Sequence, residues 1–313
     1  MITILGSGVA GLTTATELMR RGHAVRVIDP AGAPGPHGCS WWAGGMLAPF
    51  CEGEISAPEI VARGQIAADW WQAAGAEVHR TGTLVVTLAR DRGELDRFAR
   101  RTEEHVTLDR DGIAGLEPLL AERYDRALFF PGEAHVTPRR ALATLRDRLI
   151  AQGVTFTQEG TPEGTVVDCR GLAARDRLPG LRGVRGEMAV LRAPDVTLSR
   201  PIRLLHPRFP LYIVPRGDGV FMLGATQIEA GGRGPARLRS VVELLNAAYA
   251  LHPAFAEAEV LELGADARPA FADNIPRAFR QDGRIHVNGL FRHGFLMSPA
   301  LALAAADLIE ENA

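Results

Sequence analysis

Ile2-Thr3-Ile4-Leu5-Gly6-Ser7-Gly8-Val9-Ala10-Gly11-Leu12 decides the fold. Residues 1–5 read as a short buried strand, and a glycine turn follows at once. Residues 12–21 carry helical spacing through Leu12, Ala15, Leu18 and Met19. Residues 24–28 then read as a second strand, ending in Asp29. Strand, glycine turn, helix, strand and acid in that order describe a dinucleotide-binding βαβ unit. Gly6 permits the tight turn, Gly8 lets backbone N–H groups approach a pyrophosphate, and Gly11 lets the helix pack closely on the sheet. Ser7, Val9 and Ala10 complete the turn around the expected phosphates. The helix end there offers N–H groups and a positive dipole end. Asp29 is placed to accept hydrogen bonds from an adenosine ribose, and its carboxylate would repel a 2′-phosphate, which argues against NADP.

The 313 residues suffice for one large domain or two intertwined ones. With 46% apolar and 23% charged residues, the composition is that of a soluble globular enzyme. A net charge of −2, with arginines interleaved among acids, argues against a nucleic-acid partner. Cys39, Cys51 and Cys169 form no CxxC pair, so neither a disulfide framework nor a metal site is expected, and a reducing cytoplasm is the expected setting. No stretch is long enough for a membrane span, and no basic leader opens the chain.

Further along, a Gly/Pro-rich loop follows Asp29 and runs into Ser40-Trp41-Trp42-Ala43-Gly44-Gly45-Met46-Leu47-Ala48-Pro49. Small residues between large apolar ones suit a backbone lying against a flat ring, and equally an ordinary apolar loop. One helix is expected to run from Pro58 through Trp70 and Trp71, with the tryptophans in the core. Residues 166–169 form a strand that ends in a second glycine turn at Gly171. From about residue 183 successive strands indicate an antiparallel or mixed sheet in a separate layer. Residues 260–265 form its last strand and lead into a proline-rich turn at Arg268-Pro269. A strand at 285–288, the turn Gly289-Leu290-Phe291-Arg292-His293-Gly294 and a helix at 299–310 then return to the first unit.

The fold class is therefore α/β, with α+β character in the inserted part. A Rossmann-like cofactor domain spans residues 1–80, 139–182 and 266–313. A substrate domain spans 81–138 and 183–265.

On residues 6–11, 40–49, 212–227, 268–269 and 289–299 the chain resembles the D-amino-acid oxidase superfamily of FAD-dependent amine oxidases, nearest its glycine oxidase branch. The resemblance runs from end to end. It implies FAD held by Gly6–Gly11, Asp29, Ser40, Ala43, Gly44, Gly45, Met46, Gly171 and the stretch Arg292, His293, Gly294, Phe295, Leu296. It implies that Arg268 grips a substrate carboxylate, that Tyr212 joins it there, and that Arg292 lines the active site. Gln227 puts a polar amide where glycine oxidases resemble a Gly-Ala-Thr-Met run. No cysteine follows Cys169, so non-covalent FAD is expected.

The implied reaction moves a hydride from the Cα of glycine, a small amino acid or a secondary amine to flavin. The products are a 2-oxo acid, ammonia or an amine, and H2O2 from O2, in thiamine biosynthesis. The cofactor carries that chemistry, while the protein orients. A bidentate arginine sets distance and angle of a carboxylate together. The final helix would point its positive end at the flavin pyrimidine. No side chain reads as an obligate acid–base catalyst; His293 is the nearest and reads as a packing group. A dehydrogenase of the same fold is the alternative that sequence does not separate from an oxidase. The C-terminal glycine turn and returning helix argue against an NAD enzyme using only the first βαβ, and Arg268 with Tyr212 argues against a non-catalytic FAD subunit. A homo-oligomer is compatible with the sequence.

Overall fold

The structure is a computed structural model that describes residues 1–205 and 211–311. Its first sheet has six strands in the order Arg277–Gln281, Arg284–Asn288, Thr165–Asp168, Ile2–Leu5, Val25–Ile28, Thr155–Thr157. All pairings are parallel except the first hairpin. Ile2–Leu5 is central and buried along its whole length. A strand covered on both faces reads as an apolar run.

The second sheet has eight strands, from Glu259–Ala270 through Arg182–Arg192, Val220–Gly224, Leu211–Gly217, Ile202–Leu205, Thr83–Thr87 and Arg126–Phe130 to Val106–Asp109. It is mixed, because Ile202–Leu205 pairs in parallel with Thr83–Thr87. A small third sheet joins Met46–Leu47, Ala134–Val136 and Val78–His79. The Rossmann-like α/β reading and the mixed inserted sheet both hold.

Three expectations are corrected. The chain from Pro58 forms two helices, Pro58–Gly64 and Ala67–Ala73, rather than one. Trp70 and Trp71 are buried, as expected. Arg268 lies inside the strand Glu259–Ala270 rather than in a turn after it. The last helix is Gly294–Glu310, with Pro299 in its interior rather than near its start.

Proline lacks the N–H that would bond the carbonyl four residues back. Here that carbonyl belongs to Phe295, and Trp71 Nε1 donates to it at 2.9 Å. A side chain from another helix thus replaces the missing bond, and the helix begins five residues earlier than proline placement suggests.

One buried carboxyl makes a stability prediction. Glu133 is 1% exposed, and its Oε1 accepts from Cys51 N at 2.7 Å while Oε2 has no hydrogen-bond partner among the described residues. Burial pushes its pKa up to about 7, against hydrogen bonds from Thr83 and Cys51 that lower it. A raised carboxyl keeps its proton in the folded state after the unfolded chain has lost it. Stability therefore falls as pH rises from the ordinary carboxylate range toward 7. Glu133→Gln is expected to remove about 3 kcal/mol of that decline. Denaturation midpoints measured across this window, wild type against variant, check it; parallel profiles would contradict it.

Candidate functional site

A cavity of about 660 Å³ runs from the carboxyl ends of the first sheet's strands to the face of the second. At its near end lie Gly6, Ser7, Gly8, Val9, Ala10 and Asp29. The first helix, Val9–Arg20, starts there, and its first backbone bond runs from Leu12 N to Gly8 O. The amides before Leu12 face out of the helix end, where a phosphate is favoured.

Asp29 lines the cavity, but its oxygens also hold the turn. Oδ2 accepts from Ser7 N at 2.6 Å and Ser7 Oγ at 2.7 Å, and Oδ1 accepts from Ala31 N at 2.9 Å. Ser40 Oγ accepts from Val9 N at 3.1 Å, so Ser40 ties the aromatic stretch to the helix start. Gly11 stands apart from the cavity lining. A Cβ there would lie 1.9 Å from Gly6 O, so Gly11 serves the packing of helix on strand.

The middle of the cavity is walled by Ala43, Gly44, Gly45 and Met46 on one side, and by Gly171, Leu290, Arg292, His293, Gly294, Phe295 and Leu296 on others. The expected loop at 40–49 contains a 3-10 turn, Cys39–Trp42, and the short strand Met46–Leu47. Arg216, near the end of the strand Leu211–Gly217, reaches under this strip. Its Nη2 donates to Gly44 O at 2.6 Å and Nη1 to Val136 O at 3.2 Å. Burial pulls its pKa down to about 10. The last helix adds a second helix start at Gly294, with Met297 N bonded to His293 O at 2.7 Å.

At the far end the second sheet supplies the floor. Arg203 pairs with Tyr212, Tyr212 with Gly224, Gly224 with Met188 and Met188 with Gly264. This is one cross-strand row, whose side chains share a face. The two glycines in it are rooms for rings. The Tyr212 ring passes 3.2 Å from a Cβ built on Gly224, and the Trp42 ring 2.1 Å from one on Gly264. Tyr212 also covers Gly44, at 2.5 Å from a Cβ there. The tyrosine ring therefore packs directly on the backbone strip, and both line the same cavity.

Two steps along the edge strand from Gly264, on the same face, are Asp266 and Arg268. Arg268 is half-buried and lines the cavity. Its one hydrogen bond among the described residues is from Nη2 to Thr226 O at 3.4 Å. No carboxylate lies within ion-pair distance of it among the described residues. Its pKa is lowered, first by burial, with Arg292 adding to the effect. Gln227 opens onto the cavity beside it.

Arg292 is held differently. Its Nε and Nη2 donate to Glu52 Oε2 at 2.9 and 2.6 Å. Burial raises the Glu52 carboxyl, but Arg292, His293 and Arg203 together outweigh it and hold the pKa at about 2. Arg203, 4% exposed, pairs with Glu54 at 3.2 Å. His293 is buried, with Nδ1 3.4 Å from Glu52 Oε2 and Nε2 3.5 Å from Ser56 Oγ. Burial lowers its pKa to about 4, which favours the neutral imidazole near pH 7. Cys39 faces the cavity as a neutral thiol, with burial pushing its pKa up to about 11.

Glu52, Arg203, Arg216, Asp266 and Arg233 also line or brace this site and went unread in the sequence. None sits in a spacing motif. The alternation Gly264-Asp266-Arg268 was the one available signal, and it required knowing that Arg268 is in a strand.

A glycine turn and two helix starts around one cavity, with a guanidinium that has no carboxylate partner among the described residues, fit an oxidoreductase that binds a redox dinucleotide. The chain belongs to the DAO family of FAD dependent oxidoreductases, whose family model matches residues 1–308. Its cofactor is FAD, and the glycine turn, the Gly44–Gly45 strip and both helix starts fit that group.

The chain is 54% identical over 307 residues to a putative thiamine biosynthesis oxidoreductase, ThiO, of Rhizobium etli, covering 96% of this chain and 94% of that one. It is 26% identical over 363 residues to a glycine oxidase of Geobacillus kaustophilus, covering 99% and 93%. Among solved structures, iminodiacetate oxidase from Chelativorans sp. BNC1 superposes with a TM-score of 0.83 at 23% identity, covering 99% and 95%. At that identity the likeness concerns the fold. No helix of the described residues is long and apolar enough to cross a membrane.

Proposed function

We propose that the protein catalyses FAD-dependent oxidative deamination of glycine or a similarly small amino acid or secondary amine. The observation that carries this is Arg268, a half-buried guanidinium without a carboxylate partner in a cavity shared with Tyr212 and the Gly44–Gly45 strip. When bound, FAD would supply the redox chemistry, as the acceptor of a hydride from the substrate Cα and the donor of those electrons to O2, giving H2O2. Arg268 binds the carboxylate and fixes the Cα. Tyr212, packed on Gly44, lines the same cavity. The Gly294 helix start lines the cavity and would favour negative charge on a flavin bound there. Arg292, neutralised by Glu52, shapes the wall and leaves the anion to Arg268. The imine product hydrolyses to a 2-oxo acid and ammonia or an amine.

FAD is held non-covalently in this reading. Residues 1–80, 139–182 and 266–313 are assigned to its domain and 81–138 with 183–265 to the substrate domain; the six-stranded sheet lies wholly in the first set, whereas the edge strand Glu259–Ala270 of the second sheet runs past residue 265. The likeness to a putative thiamine biosynthesis oxidoreductase supports a place in thiamine biosynthesis. Three free thiols support a cytoplasmic setting.

The test is FAD-loaded protein with glycine, sarcosine and D-alanine, in air with peroxide detection and under anaerobic dye. Peroxide with glycine or sarcosine is expected. Turnover with dye alone would reassign the acceptor, and no turnover in either arm would overturn the reading.

A further inference from the structure

Asp266 is an anion placed where it could spoil the site. It is 4% exposed and shares a strand face with Arg268, two residues away. Its cross-strand partner is Gly186. The Arg268 guanidinium lies directly over that glycine, with Nη2 1.8 Å from where a Cβ would stand. Directly opposed Cβ positions on neighbouring strands are about 5 Å apart. The Asp266 carboxylate is therefore within a side-chain rotation of the Arg268 guanidinium, yet the two form no ion pair.

Asp266 Oδ1 accepts from Ala267 N at 2.8 Å, and the cation that holds it is Arg233. Its Nε donates to Asp266 Oδ1 at 2.6 Å and its Nη2 to Oδ2 at 3.0 Å, a two-point grip. The same Nη2 donates to the His37 carbonyl across the cavity mouth. The loop that carries Arg233 is pinned on both sides of it by the buried Arg185. Arg185 Nη1 donates to Gly232 O at 2.8 Å and Nη2 to Pro235 O at 2.5 Å, while its Nε donates to Glu187 Oε1 at 2.8 Å.

We propose that Arg233 is a positioning residue that sequesters Asp266 and so keeps Arg268 vacant for the substrate carboxylate. The proposal rests on the carboxylate-binding role of Arg268 given above. Two bonded oxygens and a second anchor at His37 make Arg233 the better partner for Asp266 while the loop is seated. When Arg233 is absent or the loop is lifted, Asp266 is left near one remaining cation, Arg268. The carboxylate of a ligand must then displace an internal one. Seating of the loop and affinity for the substrate anion are thereby coupled.

The experiment titrates FAD-loaded protein with glycolate, which presents the same carboxylate without an amine, and reads the perturbation of flavin absorbance. Arg233→Ala is expected to weaken glycolate binding by at least about tenfold, the size of effect expected when a buried charge changes partner. Asp266→Asn alone is expected to tighten it. The double variant Arg233→Ala/Asp266→Asn is expected to recover most of the loss, because the competitor has gone with its keeper. A simple loss of loop structure would not be rescued by removing Asp266, so an unrescued double variant overturns the proposal. So does an Arg233→Ala variant that binds as tightly as wild type. Wild-type protein that binds FAD but shows no glycolate response overturns the Arg268 reading itself, which the other two outcomes leave standing.

Discussion

Arg268→Ala is expected to lower kcat/KM for the amino-acid substrate by about 30-fold to several thousand-fold while leaving the protein yellow. The range follows from roughly 2–5 kcal/mol for removing one partner of a desolvated charge pair, at about 1.4 kcal/mol per tenfold. Arg268 belongs to the second sheet and the glycine turn to the first, so FAD is expected to stay bound. Folding is expected to be intact, because the guanidinium gives up only one hydrogen bond among the described residues, at 3.4 Å. Arg268→Lys keeps the charge and loses the fork, so it should recover only part of the activity. Steady-state kinetics together with the flavin spectrum check both halves of the expectation. A variant with unchanged KM would show that the anion is bound elsewhere.

Gly11→Ala is expected to have the largest effect on folding and cofactor retention. The added Cβ would stand 1.9 Å from Gly6 O and 3.0 Å from Gly6 C, both backbone atoms that no side-chain rotation relieves. The first helix would have to move off the Ile2–Leu5 strand, and the phosphate-facing amides would move with it. Overpacking of this kind costs about 3 kcal/mol or more, and the purified variant is expected to be colourless. Gly93→Ala is the matched control: it lies in the helix Arg92–Arg101, and its Cβ would meet nothing within 4 Å. It should gain up to about 1 kcal/mol from the helix preference of alanine. Melting temperature and flavin content separate the two. A yellow, stable Gly11→Ala protein would mean that the helix does not sit as described.

The two ends of the site differ in how far they could be read from residues alone. Gly6, Gly8, Gly11 and Asp29 are local in sequence, and each answers a constraint of one βαβ unit, so spacing revealed them. The returning turn at 289–294 was legible for the same reason. The start of the last helix was not, because Pro299 is a start signal by propensity and only the Trp71 indole, 228 positions away, lets the helix run through it. The floor of the substrate end was legible only in its single residues. Arg268 and Tyr212 stood out through family resemblance, whereas the row Arg203-Tyr212-Gly224-Met188-Gly264 is written across five strands. Strand register is a tertiary property, and no periodicity along one segment reports it. Glu52 went unread for a related reason: its role depends on Arg292, 240 positions away.

Anaerobic addition of glycine or sarcosine to the FAD-loaded protein tests the central claim most directly, because it needs neither oxygen nor a coupled enzyme. Bleaching of the oxidised flavin by at least one of them, lost in Arg268→Ala, is the predicted result. A flavin that stays oxidised with both, in protein that holds FAD fully, would contradict the account.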